Sequence, residues 1–124
     1  MITVLIVEDN EKNMKLARDV LQAKGYATIE AVTGEDGVRA AIENKPDLVL
    51  MDIQLPGIDG IEALRQLRAD PGCERIPVIA FTASVMQADR SQFSAAGFDG
   101  FLSKPINLKE FLETIKRLLE SGRA

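Results

Sequence analysis

The sequence contains no histidine, no tryptophan and a single cysteine, Cys73. Without histidine the chain cannot pass on phosphate from an imidazole, and histidine-based acid–base or metal chemistry is excluded. One cysteine allows no intramolecular disulfide and no cysteine-rich zinc site, which points to a reducing compartment. No apolar stretch approaches the length of a membrane span, so membrane insertion is not expected. The first residues lead straight into an apolar strand and lack the basic segment and long apolar core of a signal peptide. A cytoplasmic location is therefore expected. No run of Lys and Arg offers a patch for a nucleic-acid backbone, and 15 basic against 19 acidic residues leave a net charge of −4, so nucleic acid is not an expected partner.

What is present fits a single domain spanning residues 1–124, with no output domain attached. Hydrophobic residues make up 46% and charged residues 27%, enough to bury one core in a chain of this length but not to build two. Five short apolar runs recur: Val4 to Val7, Tyr26 to Val32, Leu48 to Met51, Val78 to Phe81 and Phe98 to Leu102. The first, third and fourth are almost continuously hydrophobic, as strands covered on both faces of a parallel sheet must be. The second mixes Tyr26, Thr28, Ile29 and Glu30 and reads as an edge strand.

Helical patterns with legible ends separate these runs. Asn10 caps a helix reaching about Lys24, with Gly25 just beyond it. Thr33, with Asp36 three residues on, opens a second helix that stops before Pro46. Asp59 opens a third, bearing Ile61, Leu64 and Leu67 on one face. A fourth spans about Met86 to Ala96. Asn107 with Glu110 opens the last, whose Leu108, Phe111, Leu112, Ile115, Leu118 and Leu119 form a core-facing stripe. This alternation predicts an α/β fold: a five-stranded parallel sheet in the flavodoxin-like order 2-1-3-4-5, with five helices on its two faces. The reactive crevice of such a sheet lies at the carboxyl ends of strands 1 and 3.

Those strand ends carry Glu8-Asp9, Asp52, Thr82 and Lys104-Pro105. Three carboxylates, a hydroxyl and an ammonium are thus expected around one crevice. Taken singly, Asp52 could cap a turn, and Glu8 and Asp9 could be solvated acids before a helix N-terminus. Together, three neighbouring carboxylates repel one another unless a cation is present. Hard oxygen ligands left open to water suit Mg²⁺, with Mn²⁺ an alternative. A carboxylate beside such a cation and an ammonium is a nucleophile towards phosphorus that needs no general base.

The stretches VLIVEDN at 4–10, DLVLMDIQLPGIDG at 47–60, PVIAFTA at 77–83 and GFLSKPI at 100–106 resemble response-regulator receiver domains of two-component signalling, in that order and at receiver spacing. The resemblance implies a CheY-like fold in which Asp52 accepts the phosphoryl group. Asp9 and Asp52 would ligate Mg²⁺ directly, Glu8 through water, and Gln54 through its backbone carbonyl. Thr82 would be the switch hydroxyl, Phe101 the switch aromatic and Lys104 the cation, with a cis peptide at Lys104-Pro105. Two aspartates are more usual where this chain has Glu8-Asp9, and Phe101 lacks the hydroxyl of the frequent tyrosine.

The implied donor is a sensor histidine kinase or a histidine phosphotransfer protein, meeting helix 1 near Asn10, Asn13, Met14 and Ala17 with Pro105, although Met14 is equally compatible with core packing. An effector protein would bind the face of the fourth helix, strand 5 and the last helix. EDNEKNMKL, NKPDLVLMDIQLPGIDG and the closing SKPI and FLETIKRLLE are also similar to single-domain cell-cycle regulators of alphaproteobacteria, while the EDNxxN pattern is shared with phosphorelay receivers. Slow autodephosphorylation, tuned by Gln54 and Ser84, is expected, but no turnover enzyme. A constitutive pseudo-receiver would lack an acceptor, acid or lysine. A flavin-binding relative would need a phosphate-cradling loop where Glu8-Asp9-Asn10-Glu11 stands.

Overall fold

The computed structural model describes residues 1–82, 96–104 and 106–121. Among them are five strands, β1 (Thr3–Val7), β2 (Ala27–Ala31), β3 (Leu48–Asp52), β4 (Val78–Thr82) and β5 (Gly100–Ser103). All pair in parallel in the order β2-β1-β3-β4-β5. The mixed second strand lies at an edge, as its composition requires. Helices α1 (Glu11–Ala23), α2 (Gly34–Asn44), α3 (Gly60–Ala69) and the C-terminal helix (Leu108–Ser121) accompany it. The expected helix over about Met86 to Ala96 lies outside the described residues but for its last position, as do Ser84 and Pro105.

Strand periodicity sorts the core into two layers. Val4, Ile6, Leu48, Leu50, Ile79 and Phe81 point to the side covered by α1, through Met14, Ala17 and Leu21, and by the C-terminal helix, through Phe111, Ile115 and Leu118. Leu5, Val7, Val49, Met51, Val78 and Ala80 point to the side covered by α2 and α3, through Val38, Ala41, Ala63, Leu64 and Leu67. Burying each large side chain contributes roughly 1.5–3 kcal/mol of transfer free energy, which makes these layers the main stabilising term. Met14 and Ala17, expected on the kinase-facing side of helix 1, are instead core residues at 5% and 0% exposure. Their spacing with Leu21 is the inward stripe of an amphipathic helix.

The caps act where the sequence places them. Asn10 accepts from the Asn13 backbone N–H at 3.1 Å, Thr33 from Asp36 at 3.0 Å, Asp59 from Glu62 at 2.9 Å and Asn107 from Glu110 at 3.0 Å. Each satisfies a donor that a helix start leaves open. At the far end of α1, Gly25 takes φ of 88°, a left-handed value that glycine adopts without a steric cost. Arg68, near the end of α3, donates to the carbonyls of Cys73, Glu74 and Ile76, and also to Gly97 and the Asp99 carboxylate. Asp99 in turn accepts from the Val78 N–H. This knot sets where β4 begins and how the chain enters β5, and so where Lys104 emerges.

Gly60, the first residue of α3, allows the helix to pack directly under the end of β3. A Cβ there would overlap the Asp52 carbonyl oxygen and stand 2.9 Å from the Ile53 Cα. Both obstacles are backbone, which cannot rotate away. Gly60→Ala should therefore destabilise the protein by about 1–3 kcal/mol, the usual range for overpacking, read from urea unfolding. A loss below that of an exposed helix substitution would show that α3 can shift to make room.

Candidate functional site

The sheet register assembles the site. Val7 pairs with Met51 across β1 and β3, so the next residues, Glu8 just past β1 and Asp52 at the end of β3, lie at the same level. Thr82 pairs with Ser103 across β4 and β5, which delivers Lys104 one residue later on the same edge. The Lys104 Nζ donates to both Glu8 carboxylate oxygens at 2.9 Å and to Asp52 Oδ2 at 2.8 Å. It also lies 5.1 Å from the centroid of the Phe81 ring, a cation–π contact from below. Asp52 Oδ1 accepts from the Gln54 backbone N–H at 3.0 Å, so each of its oxygens has a fixed partner. Glu8 Oε1 also accepts from the Asn13 side-chain amide at 3.3 Å and from the Asn10 backbone N–H at 3.4 Å.

Glu8 and Asp52 are the buried charged residues of the core region, at 0% and 4% exposure, whereas Asp9 is exposed. Glu8 is therefore not the solvated acid that its position before a helix would allow. Burial, and next to it the hydrogen-bonded Asp52 carboxyl, push the Glu8 acid up to about 7 against the lowering influence of Lys104. Burial on its own would lower the Lys104 ammonium, but its bonds to Asp52 and Glu8 outweigh this and raise it. One ammonium is shared by two buried carboxylates, so the pocket retains an excess of negative charge.

Glu8, Asp9 and Asp52 each present an oxygen within 4.8 Å of the others. An all-oxygen set of this size, with one member open to water, fits a hard divalent cation that keeps part of its hydration shell. A cleft of about 360 Å³ leads away from Glu8 and Asp9 along Met14, Lys15 and Arg18 towards Glu30 and Val32. The structure thus brings together four of the expected site residues: Glu8, Asp9, Asp52 and Lys104. Gln54 is adjacent through its backbone. Thr82 closes β4, with its side chain outside the described part of the structure. Phe101 is half-buried and packs against the α2–α3 layer of the core.

These observations converge with a match of residues 4–116 to the response regulator receiver domain. The chain belongs to that family. It is 47% identical over 117 residues to the polar-differentiation response regulators DivK of Brucella anthropi and Brucella abortus, covering 94% of this chain and 95% of each relative. Among solved structures, the receiver domain of a sensor histidine kinase from Pseudomonas aeruginosa has a TM-score of 0.88 at 35% identity, covering 95% of this chain and 97% of that one. A magnesium ion is coordinated in the active-site cleft of that structure. The chemotaxis protein CheY4 of Vibrio cholerae has a TM-score of 0.89 at 26% identity, covering 94% of this chain and 98% of its own.

Three contacts at this receiver site go beyond the sequence reading. Phe81 serves as the platform under Lys104, signalled only by an aromatic residue one position before the end of a buried strand. Asn13 reaches back to Glu8, a contact carried by the Asn10-x-x-Asn13 spacing at the start of α1. Glu35, in the first turn of α2, accepts from the Ile58 N–H at 3.4 Å and so steadies the loop after Asp52; this pairing of residues far apart in sequence left no local signal.

The raised Glu8 acid has a direct consequence for stability. A group whose folded value lies above its ordinary 4.5 stabilises fully below that value and loses the contribution as pH rises through about 7. Without divalent cation, the melting temperature should fall between roughly pH 4.5 and 7 more steeply than in Glu8→Gln, whose amide stays neutral. Equal slopes in the two proteins would show that Glu8 is ionised throughout.

Proposed function

We propose that this chain is a phosphoacceptor of two-component signalling, in which Asp52 takes a phosphoryl group from the phosphohistidine of a sensor kinase or a histidine phosphotransfer protein. The observation that carries this reading is the Lys104 ammonium, 2.8 Å from Asp52 and 2.9 Å from Glu8, with Asp9 beside them. An Asp52 oxygen forms the new bond to phosphorus as the bond to the donor imidazole nitrogen breaks. The electron pair departs on that nitrogen, and because the donor ring carries a proton on its other nitrogen it ends as the neutral imidazole. The acceptor needs no base, being a carboxylate already.

Asp9 and Asp52, Glu8 through water, and the Gln54 carbonyl are the residues that would hold Mg²⁺, with Mn²⁺ as a substitute. When bound, the ion supplies positive charge to the oxygens of the transferring group. Lys104 can turn from Glu8 to a phosphoryl oxygen without leaving Asp52, since its Nζ already spans the two. The Thr82 hydroxyl would bond the phosphorylated product, and Phe101 would turn into the space that Thr82 vacates. That shift alters the surface of the fourth expected helix, β5 and the C-terminal helix, which an effector protein reads.

Likeness over nearly the full length of the polar-differentiation regulators supports a role in cell-cycle or polarity control, in the cytoplasm. No described helix is long and apolar enough to cross a membrane. Likeness to a receiver domain of a sensor kinase favours a second reading, a relay of phosphate within a longer chain of transfers.

Asp52→Asn should abolish acid-labile labelling by acetyl phosphate in Mg²⁺, and normal stoichiometry in that variant would overturn the acceptor assignment. Lys104→Ala should still bind Mg²⁺ yet lose most of the phosphorylation-linked change in backbone amide spectra. An unchanged spectral response would remove Lys104 from the switch.

A further inference from the structure

Glu8 poses a positioning problem that an aspartate would not. It has one more rotatable bond, it is fully buried, and each free rotor must be fixed before its carboxylate can serve a site. Lys104 pins both oxygens at 2.9 Å, but it is the group that must swing towards a phosphoryl oxygen in the proposed reaction. Once it does, the hydrogen bonds left to Glu8 are those from α1: the Asn13 side-chain amide at 3.3 Å and the longer Asn10 N–H at 3.4 Å.

The two asparagines divide the work at the start of α1. The Asn10 side chain accepts from the Asn13 backbone N–H, so the cap does not depend on the Asn13 side chain. Asn13 is half-buried, and its side-chain amide directs one N–H at Glu8 Oε1. That oxygen therefore has three donors around it, while Oε2 has Lys104. The oxygen left with spare acceptor capacity is Oε2, the one suited to a water on a neighbouring cation.

We propose that Asn13 is the positioning residue for Glu8, holding its carboxylate in the rotamer that serves the divalent-cation site. This rests on the reading of Glu8, Asp9 and Asp52 as that site. Partners that orient acids around a metal commonly set its affinity without touching it. In this chain the asparagine is the counterpart of the longer acid, so the two residues act as a pair.

The test is a double-mutant cycle read by Mg²⁺ titration of the full chain, calorimetrically or from amide shifts, with thermal unfolding in EDTA alongside. Asn13→Ala should weaken Mg²⁺ binding about tenfold while leaving the EDTA melting temperature unchanged or slightly raised, because the Asn10 cap remains and alanine favours the helix. In a Glu8→Asp background the shorter acid withdraws from Asn13, and the same substitution should change affinity by less than about twofold. Parent-like affinity in Asn13→Ala, or an equal loss in both backgrounds, overturns the role of Asn13 alone. Absence of saturable Mg²⁺ binding in the parent overturns the cation site and this inference with it.

Discussion

A single ammonium, Lys104 Nζ, stands between two carboxylates that the fold has taken out of water. Glu8 is completely buried and Asp52 nearly so, and burying carboxylates is costly unless a cation is in contact. The lysine reaches them because β5 lies two strands from β3 and ends one residue beyond the level of Asp52. Phe81, on the strand between, places its ring under the ammonium. Strand order, register and core packing therefore meet at one nitrogen atom. The knot made by Arg68 with Asp99 and the carbonyls around the start of β4 belongs to the same constraint, since it governs the entry to β5.

One ammonium does not balance two buried acids and the exposed Asp9 beside them. Burial, and after it the neighbouring Asp52 carboxyl, keeps the Glu8 acid high, and the residual negative charge makes the cluster receptive to a hard cation. Negative charge left uncompensated by the protein is what such a cluster can offer to a hard cation. The same frustration sets the acids at the ends of β1 and β3 apart from the apolar runs Val4–Val7 and Leu48–Met51 that precede them. Stability alone would favour apolar residues in their place.

Much of this was legible before any coordinates. The continuous apolar runs at Val4, Leu48 and Val78 required a doubly covered parallel sheet, and the caps Asn10, Thr33, Asp59 and Asn107 required helices where they stand. Asp9, Asp52 and Lys104 were readable because each lies at or just beyond the carboxyl end of a strand, where a parallel sheet opens. Other features were hidden for physical reasons. Met14 looks equally able to face a partner or the core, and only the docking of α1 against Val4, Ile6 and Leu50 decides for the core. Glu8 looks like a solvated acid before a helix; its burial follows from the closeness of α1 and from Lys104, 96 positions away in the chain.

By itself the sequence determined the kinds and order of elements, the two-sided core and the set of groups at the strand ends, because these depend on local periodicity and capping. Tertiary structure alone decided which oxygen of Glu8 is held by Asn13, which of Asp52 is held by Gln54, and that Phe81 lies under Lys104. Those are matters of distances of about 3–5 Å between residues remote in the chain, where hydrogen bonds and cation–π contacts are either made or lost. LMDIQLPGIDG announces an acid at the mouth of a strand, but only the packing of β1, β3, β4 and β5 makes it the partner of a lysine.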